Sequence, residues 1–521
     1  MTPVVAKEAS RADIALLLEG TFPYVAGGVS SWVADLLRAH PQYTFAILFI
    51  GGRKQDYGPP RYPLPENVVW FREVFIFDES ARMPVREARS CPVDAMQSIQ
   101  AFHDGFYRDK QPVDAPTLKD ILPLISSGGP VTEKLFLHGQ QSWEEIRKRY
   151  LENCTDPSFT DYFWTVRIMH IPLWKLIRAV EDMIPVSMCH AVSTGYAGFF
   201  GALMQACRKT PLLLSEHGIY TKERQIDLFQ SAWIRDNRSL LERNVVQIPY
   251  FQALWMRFFR TLGTMAYDAA SVVSALFEEN RRRQVQDGAA PEKTQVIPNG
   301  IEIDRYLALR QQRPIEIPPV LALIGRVVPI KDIRTFIRAV FIAARTQPDV
   351  QGWIVGPEDE DPDYVEECRS LVATLELQDR VHFLGFRDVR EILPLVGLVV
   401  LSSISEGLPL VILEAYAAGV PVVSTDVGAC RELIEGSGPE DRALGVSGHV
   451  VQLADPSGLA QACLGLLSSP DSWRAARVAG IARVERYYSR RQMINTYDQL
   501  YKHLLAGAAE GHVAKGAIWP E

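Results

Sequence analysis

Apolar runs and polar stretches alternate along this chain with a regular rhythm. It opens with ADIALLLE over 12–19, which lacks the every-other-residue polar positions of a half-exposed strand. A glycine-bearing loop, TFPYVAGGVSSW, follows, then a helical pattern to about residue 39 and a second apolar run, TFAILFI, at 44–50. Short aliphatic runs recur at 185–190 (PVSMCH), 211–217 (PLLLSEH), 271–276 (SVVSAL) and 294–300 (TQVIPNG), with helical patterns between them. Runs of this length alternating with helices predict βα units on a parallel sheet with both faces covered.

The rhythm breaks twice. Residues 80–170 are rich in charge and aromatics (FHDGFYRDK, QSWEEIRKRY) and predict a helical insertion. Residues 304–319, DRYLALRQQRPIEIPP, are polar and proline-bearing and read as a linker. A second alternation then begins: PVLALIG, a helix over 331–345, VQGWIVG, a helix over 362–375, RVHFLG, a helix over 388–394, GLVVLSS, a helix over 409–418, and VPVVST. The chain closes on an amphipathic pattern at 487–505 with no strand after it.

The predicted fold class is therefore α/β, with two Rossmann-like, doubly wound domains facing a cleft. The first spans 1–310 and carries the insertion. The second spans 311–485, and residues 486–521 form a C-terminal helix that packs back on the first. Ligands of open α/β sheets bind outside the carboxyl ends of the strands, so that edge is the default site.

Composition narrows the class further. At 521 residues the chain exceeds one ordinary core, which fits two domains. With 47% hydrophobic and 22% charged residues it has the make-up of a globular protein that stays in solution. A net charge of −7 argues against nucleic acid or an anionic membrane as a broad partner, while leaving room for a local basic site. The seven cysteines are scattered with no CxxC, so neither zinc nor a disulfide framework is expected and a reducing cytoplasm fits. The first twenty residues show no export signal, and no apolar run nears the roughly 18 residues of a membrane span.

Candidate chemistry concentrates at 405–426, SEGLPLVILEAYAAGVPVVSTD. Ser405-Glu406-Gly407 is the loop at the carboxyl end of GLVVLSS. Pro409 suits a helix start and Gly419 a helix end. Side chains on a helix lean toward its N-terminus, so Glu414 can face the same edge as Glu406. A carboxylate among VIL and AYAAG needs partners, because isolated burial costs several kcal/mol or forces protonation. Two adjacent hydroxyls, such as those of a ribose, would satisfy it, while the free N–H groups of the first turn attract phosphate. The ordinary alternative is that Glu414 pairs with an Arg or Lys and Glu406 caps a helix.

Several other residues belong to the same reading. In LIGRVVPIKDI, Arg326 and Lys331 follow the first strand of the second domain, a fixed fork and a mobile point charge for phosphate oxygens. Taken alone, such a pair is ordinarily a solvated surface feature. Gly27 and Gly28 sit between the first strand and its helix, where glycine permits close backbone approach to phosphate or sugar. His190 and His217 each end a strand, a place where histidine more often packs than reacts. Phe386, in VHFLGF, is equally a loop aromatic or a wall for a base. The acidic run EDEDPD at 358–363 contains a literal D-x-D, but its place before a helix gives those acids a reason without metal.

The stretch SEGLPLVILEAYAAGVPVVSTDVGACRELI (405–434) resembles the retaining glycosyltransferases of family GT4, built on the two-domain GT-B architecture. The likeness is dense over 294–434 and weaker over 1–310. It implies that Glu406 contacts the donor sugar's hydroxyls and Glu414 the ribose, with Gly407 and Leu408 in the GLP turn between them. It further implies that Arg326 and Lys331 hold the diphosphate, that Gly28 and, less firmly, Gly27 form a donor or acceptor loop, and that backbone near Phe386 meets the base. His190 matches a position near the sugar, although the family's second histidine is replaced here by Val192. His217 is a further candidate for substrate contact.

The runs EGTFPYVAGGVSSW, HAVSTGYAG and SEHGIYTKER, with the insertion, are similar to the soluble glycosyltransferases of the Pel exopolysaccharide system. That resemblance implies a UDP-sugar donor (UDP-glucose or a UDP-N-acetylhexosamine), a polysaccharide acceptor and no metal or other cofactor. It also implies a cytoplasmic enzyme of biofilm polysaccharide synthesis, peripheral at the inner membrane through a secretion complex. A nucleotide-binding scaffold, a sugar-nucleotide epimerase and a glycosyl phosphorylase remain the alternatives.

Overall fold

The computed structural model describes residues 9–78, 91–104, 117–231, 234–238 and 248–511. The chain divides into two compact units. The first runs to Ala275, takes Arg282–Gln295 and resumes at Asp498; the second takes Leu276–Arg281 and Val296–Tyr497. The division thus falls before residue 310, because Leu276, Phe277, Ile301, Tyr306 and Leu309 are buried in the core of the second unit. The final helix, Arg490–Gly511, contributes residues to both units.

In the first unit seven strands form one sheet: β1 (Ala12–Glu19), β2 (Phe45–Gly51), β3 (Val68–Phe75), β4 (Val186–Ala191), β5 (Leu212–Glu216), β6 (Val272–Ala275) and β7 (Thr294–Val296). Their spatial order is β3-β2-β1-β4-β5-β6-β7, and the pairs from β3 to β6 are parallel. Every residue of β2 and β5 is buried, as expected of strands covered on both faces. The order reverses between β1 and β4, where Leu16 lies opposite His190 and Leu17 opposite Ala191.

The expected insertion is helical wherever it is described: Val93–Asp104, Leu118–Ile125, Glu133–His138, Gln140–Asn153 and Phe159–Asp182. The last of these runs past residue 170. Residues 80–90 and 105–116 of the predicted insertion lie outside the described residues. Tyr250–Ala269 is a core helix of this unit, with Phe251, Leu254, Phe258 and Leu262 among its buried residues.

The second unit holds six strands: β8 (Val320–Ile324), β9 (Gln351–Val355), β10 (Val381–Gly385), β11 (Leu398–Leu401), β12 (Val422–Thr425) and β13 (Gly448–Val451). They are parallel, in the order β10-β9-β8-β11-β12-β13. Both sheets therefore have the doubly wound order of a dinucleotide-type fold, with the second reversing between β8 and β11. The predicted helices of this unit appear as Ile333–Thr346, Pro362–Thr374, Val389–Ile392 and Leu410–Ala417. Pro409 stands just outside the last of these, at its N-cap, rather than at its first helical position. Among the described residues no helix is long and apolar enough to cross a membrane.

Candidate functional site

The crevice rule directs attention to the reversal point of the second sheet, where the loops after β8 and β11 carry Arg326, Lys331, Glu406, Gly407 and Leu408. The loops leaving β8 and β11 are stitched together by their backbones. Ile404 N–H donates to the carbonyl of Ile330 at 2.8 Å, and Ser402 Oγ lies 2.9 Å from the carbonyls of both Lys331 and Asp332. The loop after β12 closes the arrangement. Gly428, at φ +52°, lies so near that a Cβ would sit 2.3 Å from the carbonyl oxygens of Glu406 and Gly407. Only glycine fits that approach.

Within this frame Lys331 Nζ reaches Glu406 Oε1 at 2.6 Å, with the two side chains 21% and 12% exposed. Ser403 Oγ donates to the same oxygen at 2.6 Å, and Thr425 Oγ1 donates to the Ser403 carbonyl at 2.6 Å. Arg326 leaves the end of β8 and meets Glu360, its Nη1 lying 2.6 Å from each carboxylate oxygen; here both side chains are more than half exposed. Leu408 is buried, and the Gly407 carbonyl accepts from Ala429 N–H at 2.9 Å. Those two residues hold the turn while leaving the first turn of Leu410–Ala417 without a side-chain cap.

Glu414, on that helix, is half-buried and takes a hydrogen bond from Tyr306 Oη at 3.0 Å. Burial raises its pKa, and the Tyr306 bond pulls the other way. Neither a lysine nor an arginine holds this carboxylate among the described residues. Phe386 follows β10 and is 81% exposed, the most open of the unit's ring side chains named for the site.

The first unit distributes its candidates differently. Gly27 and Gly28 open the helix Gly28–Ala39, and a Cβ at either position would meet nothing within 4 Å. His190, expected near a bound sugar, is instead sealed inside the unit at 0% exposure. Its Nδ1 and Nε2 lie 2.8 Å from Tyr501 Oη and Ser215 Oγ, and Trp32 meets its ring edge-on. Burial drives its pKa down to about 3, so the ring is neutral. A strand-end position did not reveal this, because the ring turns inward onto a helix 311 residues away in the chain. His217 is half-buried against Trp32, its Nε2 has no partner, and burial lowers its pKa to about 4.

Glu19 escaped the sequence reading. It ends β1 at the reversal point of the first sheet, where Tyr220 Oη donates to its Oε1 at 2.8 Å. Ser193 Oγ and the Ala197 N–H each donate to its Oε2 at 3.3 Å. The available signal was the EG pair closing the first strand. Tyr306 and Ser403, which hold Glu414 and Glu406, carried no local signal at all.

Residues 318–469 match the model described as "Glycosyl transferases group 1", and residues 12–292 match a "Domain of unknown function (DUF3492)". N-acetyl-alpha-D-glucosaminyl L-malate synthase of Bacillus anthracis is 29% identical over 187 residues, 35% of this chain and 45% of that protein. D-inositol 3-phosphate glycosyltransferase of Geodermatophilus obscurus is 30% identical over 238 residues, 42% of this chain and 50% of its own. The chain thus spans about half the length of these two curated relatives. Anabaena HepE, solved in complex with UDP, shares the fold with a TM-score of 0.56 at 18% identity, over 94% of this chain and 100% of that one. Because the longer family match covers more than half of the 521 residues, the protein belongs to the DUF3492 family, and residues 318–469 of its second unit match the glycosyl transferases group 1 model.

Proposed function

We propose that this protein is a metal-independent, retaining glycosyltransferase that takes a sugar from a UDP-sugar and adds it to a growing exopolysaccharide. The observation that carries the reading is the gathering of Arg326, Lys331 and Glu406 at the reversal point of the second sheet. Glycosyl transfer from a nucleotide sugar expels a diphosphate, and the charge growing on it must be neutralised. Lys331 and Arg326 supply that positive potential, helped by the uncapped N–H groups of Leu410–Ala417.

Glu406 presents Oε2 to the sugar's hydroxyls while Lys331 and Ser403 hold its Oε1. Glu414 receives the ribose hydroxyls, with Tyr306 fixing its Oε1, and Phe386 offers a face to the base. No dedicated nucleophile is required. The departing phosphate oxygen takes the acceptor's proton on the face it leaves, the C–O bond to phosphate breaks, and the acceptor oxygen bonds the anomeric carbon from that same side. Neutral His190 then acts indirectly, by fixing β4 and β5.

The UDP of the Anabaena neighbour favours uracil as the base, and the names of the curated relatives favour transfer as the reaction. UDP-glucose and a UDP-N-acetylhexosamine are the donors proposed. The runs shared with Pel-type glycosyltransferases favour a polysaccharide acceptor and delivery to a secretion complex at the inner membrane.

A thermal-shift panel of nucleotides and UDP-sugars, run with and without EDTA, tests base and metal together. Selective stabilisation by UDP and its sugars that survives chelation is expected. Equal response to every nucleotide, or loss of the response in EDTA, overturns the reading. Proton NMR of the product's anomeric signal tests retention.

A further inference from the structure

The acidic run at 358–363 finds its use in the tertiary structure. Asp361 caps the helix Pro362–Thr374, accepting from Tyr364 N–H at 3.1 Å, and Glu358 pairs with Arg369 at 2.5 Å. Among the described residues no set of three His, Cys, Asp or Glu side chains gathers as a metal would require. Glu360 alone of the run crosses to the loop after β8, where it takes Arg326.

Both cations assigned to the diphosphate are therefore matched with carboxylates of the protein itself. The two pairs differ in how firmly they are held. Lys331–Glu406 is largely buried and braced by Ser403. Arg326–Glu360 has side chains 55% and 51% exposed, with water and salt competing for both partners. Glu360 presents both of its oxygens to one guanidinium nitrogen of Arg326, and phosphoryl oxygens compete for the same charged donor.

We propose that Glu360 is the internal counter-anion of the diphosphate subsite, pairing with Arg326 and yielding it to phosphoryl oxygens when ligand enters. The inference rests on the reading of Arg326 as a diphosphate contact. It makes Glu360 a specificity-determining residue: a single carboxylate is displaced easily by a diphosphate, less easily by a monophosphate and not by an uncharged nucleoside. Once displaced, Glu360 still repels the ligand in proportion to its charge.

Titration calorimetry of wild type and Glu360→Gln against UDP, UMP, uridine and inorganic pyrophosphate is the test. The variant is expected to bind UDP and pyrophosphate roughly three- to tenfold more tightly and UMP about twofold, as loss of one exposed charge allows, with uridine unchanged. In 0.5 M NaCl the gain should shrink, because screening over a few ångströms already weakens the competing charge. In an Arg326→Met background the gain should largely vanish, which separates this pair from a general charge effect.

Unchanged affinity for UDP and pyrophosphate in Glu360→Gln overturns the proposal, as does an equal gain for uridine. Wild type binding pyrophosphate but not UDP removes the base assignment while leaving the test of Glu360 intact. Binding of neither removes the diphosphate site and this inference with it.

Discussion

Replacing Lys331 with methionine keeps the apolar stem of the side chain but removes the terminal ammonium that Glu406 meets at 2.6 Å. Glu406 is then left 12% exposed with Ser403 as its remaining hydrogen-bond donor. Breaking a buried pair by removing one partner costs about 3–5 kcal/mol. The residual exposure and the serine bond reduce this to about 2 kcal/mol, a fall in the second unit's melting temperature of roughly 4–8 °C. Arg326→Met offers the contrast. Its pair is more than half exposed, so the stability change should stay within about 0.5 kcal/mol.

Turnover should fall in both variants by about 100-fold or more, since each removes a cation placed where charge develops. Scanning calorimetry and a coupled assay of UDP release, run side by side, separate the two effects. A Lys331→Met protein as stable as wild type would contradict the buried pair. Near-normal turnover in both variants would remove the diphosphate site from the mechanism.

Two further outcomes follow from burial. Phe386→Ala should weaken UDP binding by about 1–3 kcal/mol, the range for stacking a base on an aromatic ring, as measured by calorimetry. Its melting temperature should not change because the ring is 81% exposed; an unchanged Kd would place the base elsewhere. His190 predicts a pH dependence. Its native pKa is about 3 against 6.5 in the open chain, so above 6.5 both states are neutral and stability is full. As pH falls below 6.5 the unfolded chain takes a proton that the native ring refuses, and stability drops by up to about 1.4 kcal/mol per unit until pH nears 3. Urea unfolding at pH 7 and pH 5 should therefore differ by about 2 kcal/mol from this residue, and equal stabilities would refute the buried neutral ring.

Much of the candidate site is legible in the chain's local patterns. Apolar runs mark the strands in outline, because a strand buried on both faces has no room for polar alternation. The exceptions are β3 and β13: Arg72 and Glu73 interrupt VVWFREVF, and GHVV is only four residues long, so neither shows an uninterrupted apolar run of strand length. The E-x7-E spacing with GLP and a later glycine places Glu406 in a strand-end loop and Glu414 on the helix behind it, since both assignments follow from local backbone preference. Arg326 and Lys331 are readable for the same reason. His190 is not: its position at a strand end is local, whereas its direction depends on Tyr501, Ser215 and Trp32.

By itself the sequence determined where strands, helices and the charged loops lie, because hydrophobic period, proline and glycine act over a few residues. The tertiary structure alone decided which charges meet. Lys331 and Glu406 are 75 residues apart, Tyr306 and Glu414 are 108 apart, and Arg326 and Glu360 are 34 apart. Those pairings depend on sheet order, which reverses between β8 and β11 and brings two distant loops to one edge. Burial then fixes protonation, holding His190 neutral and raising the pKa of Glu414, through desolvation that no short stretch of sequence encodes.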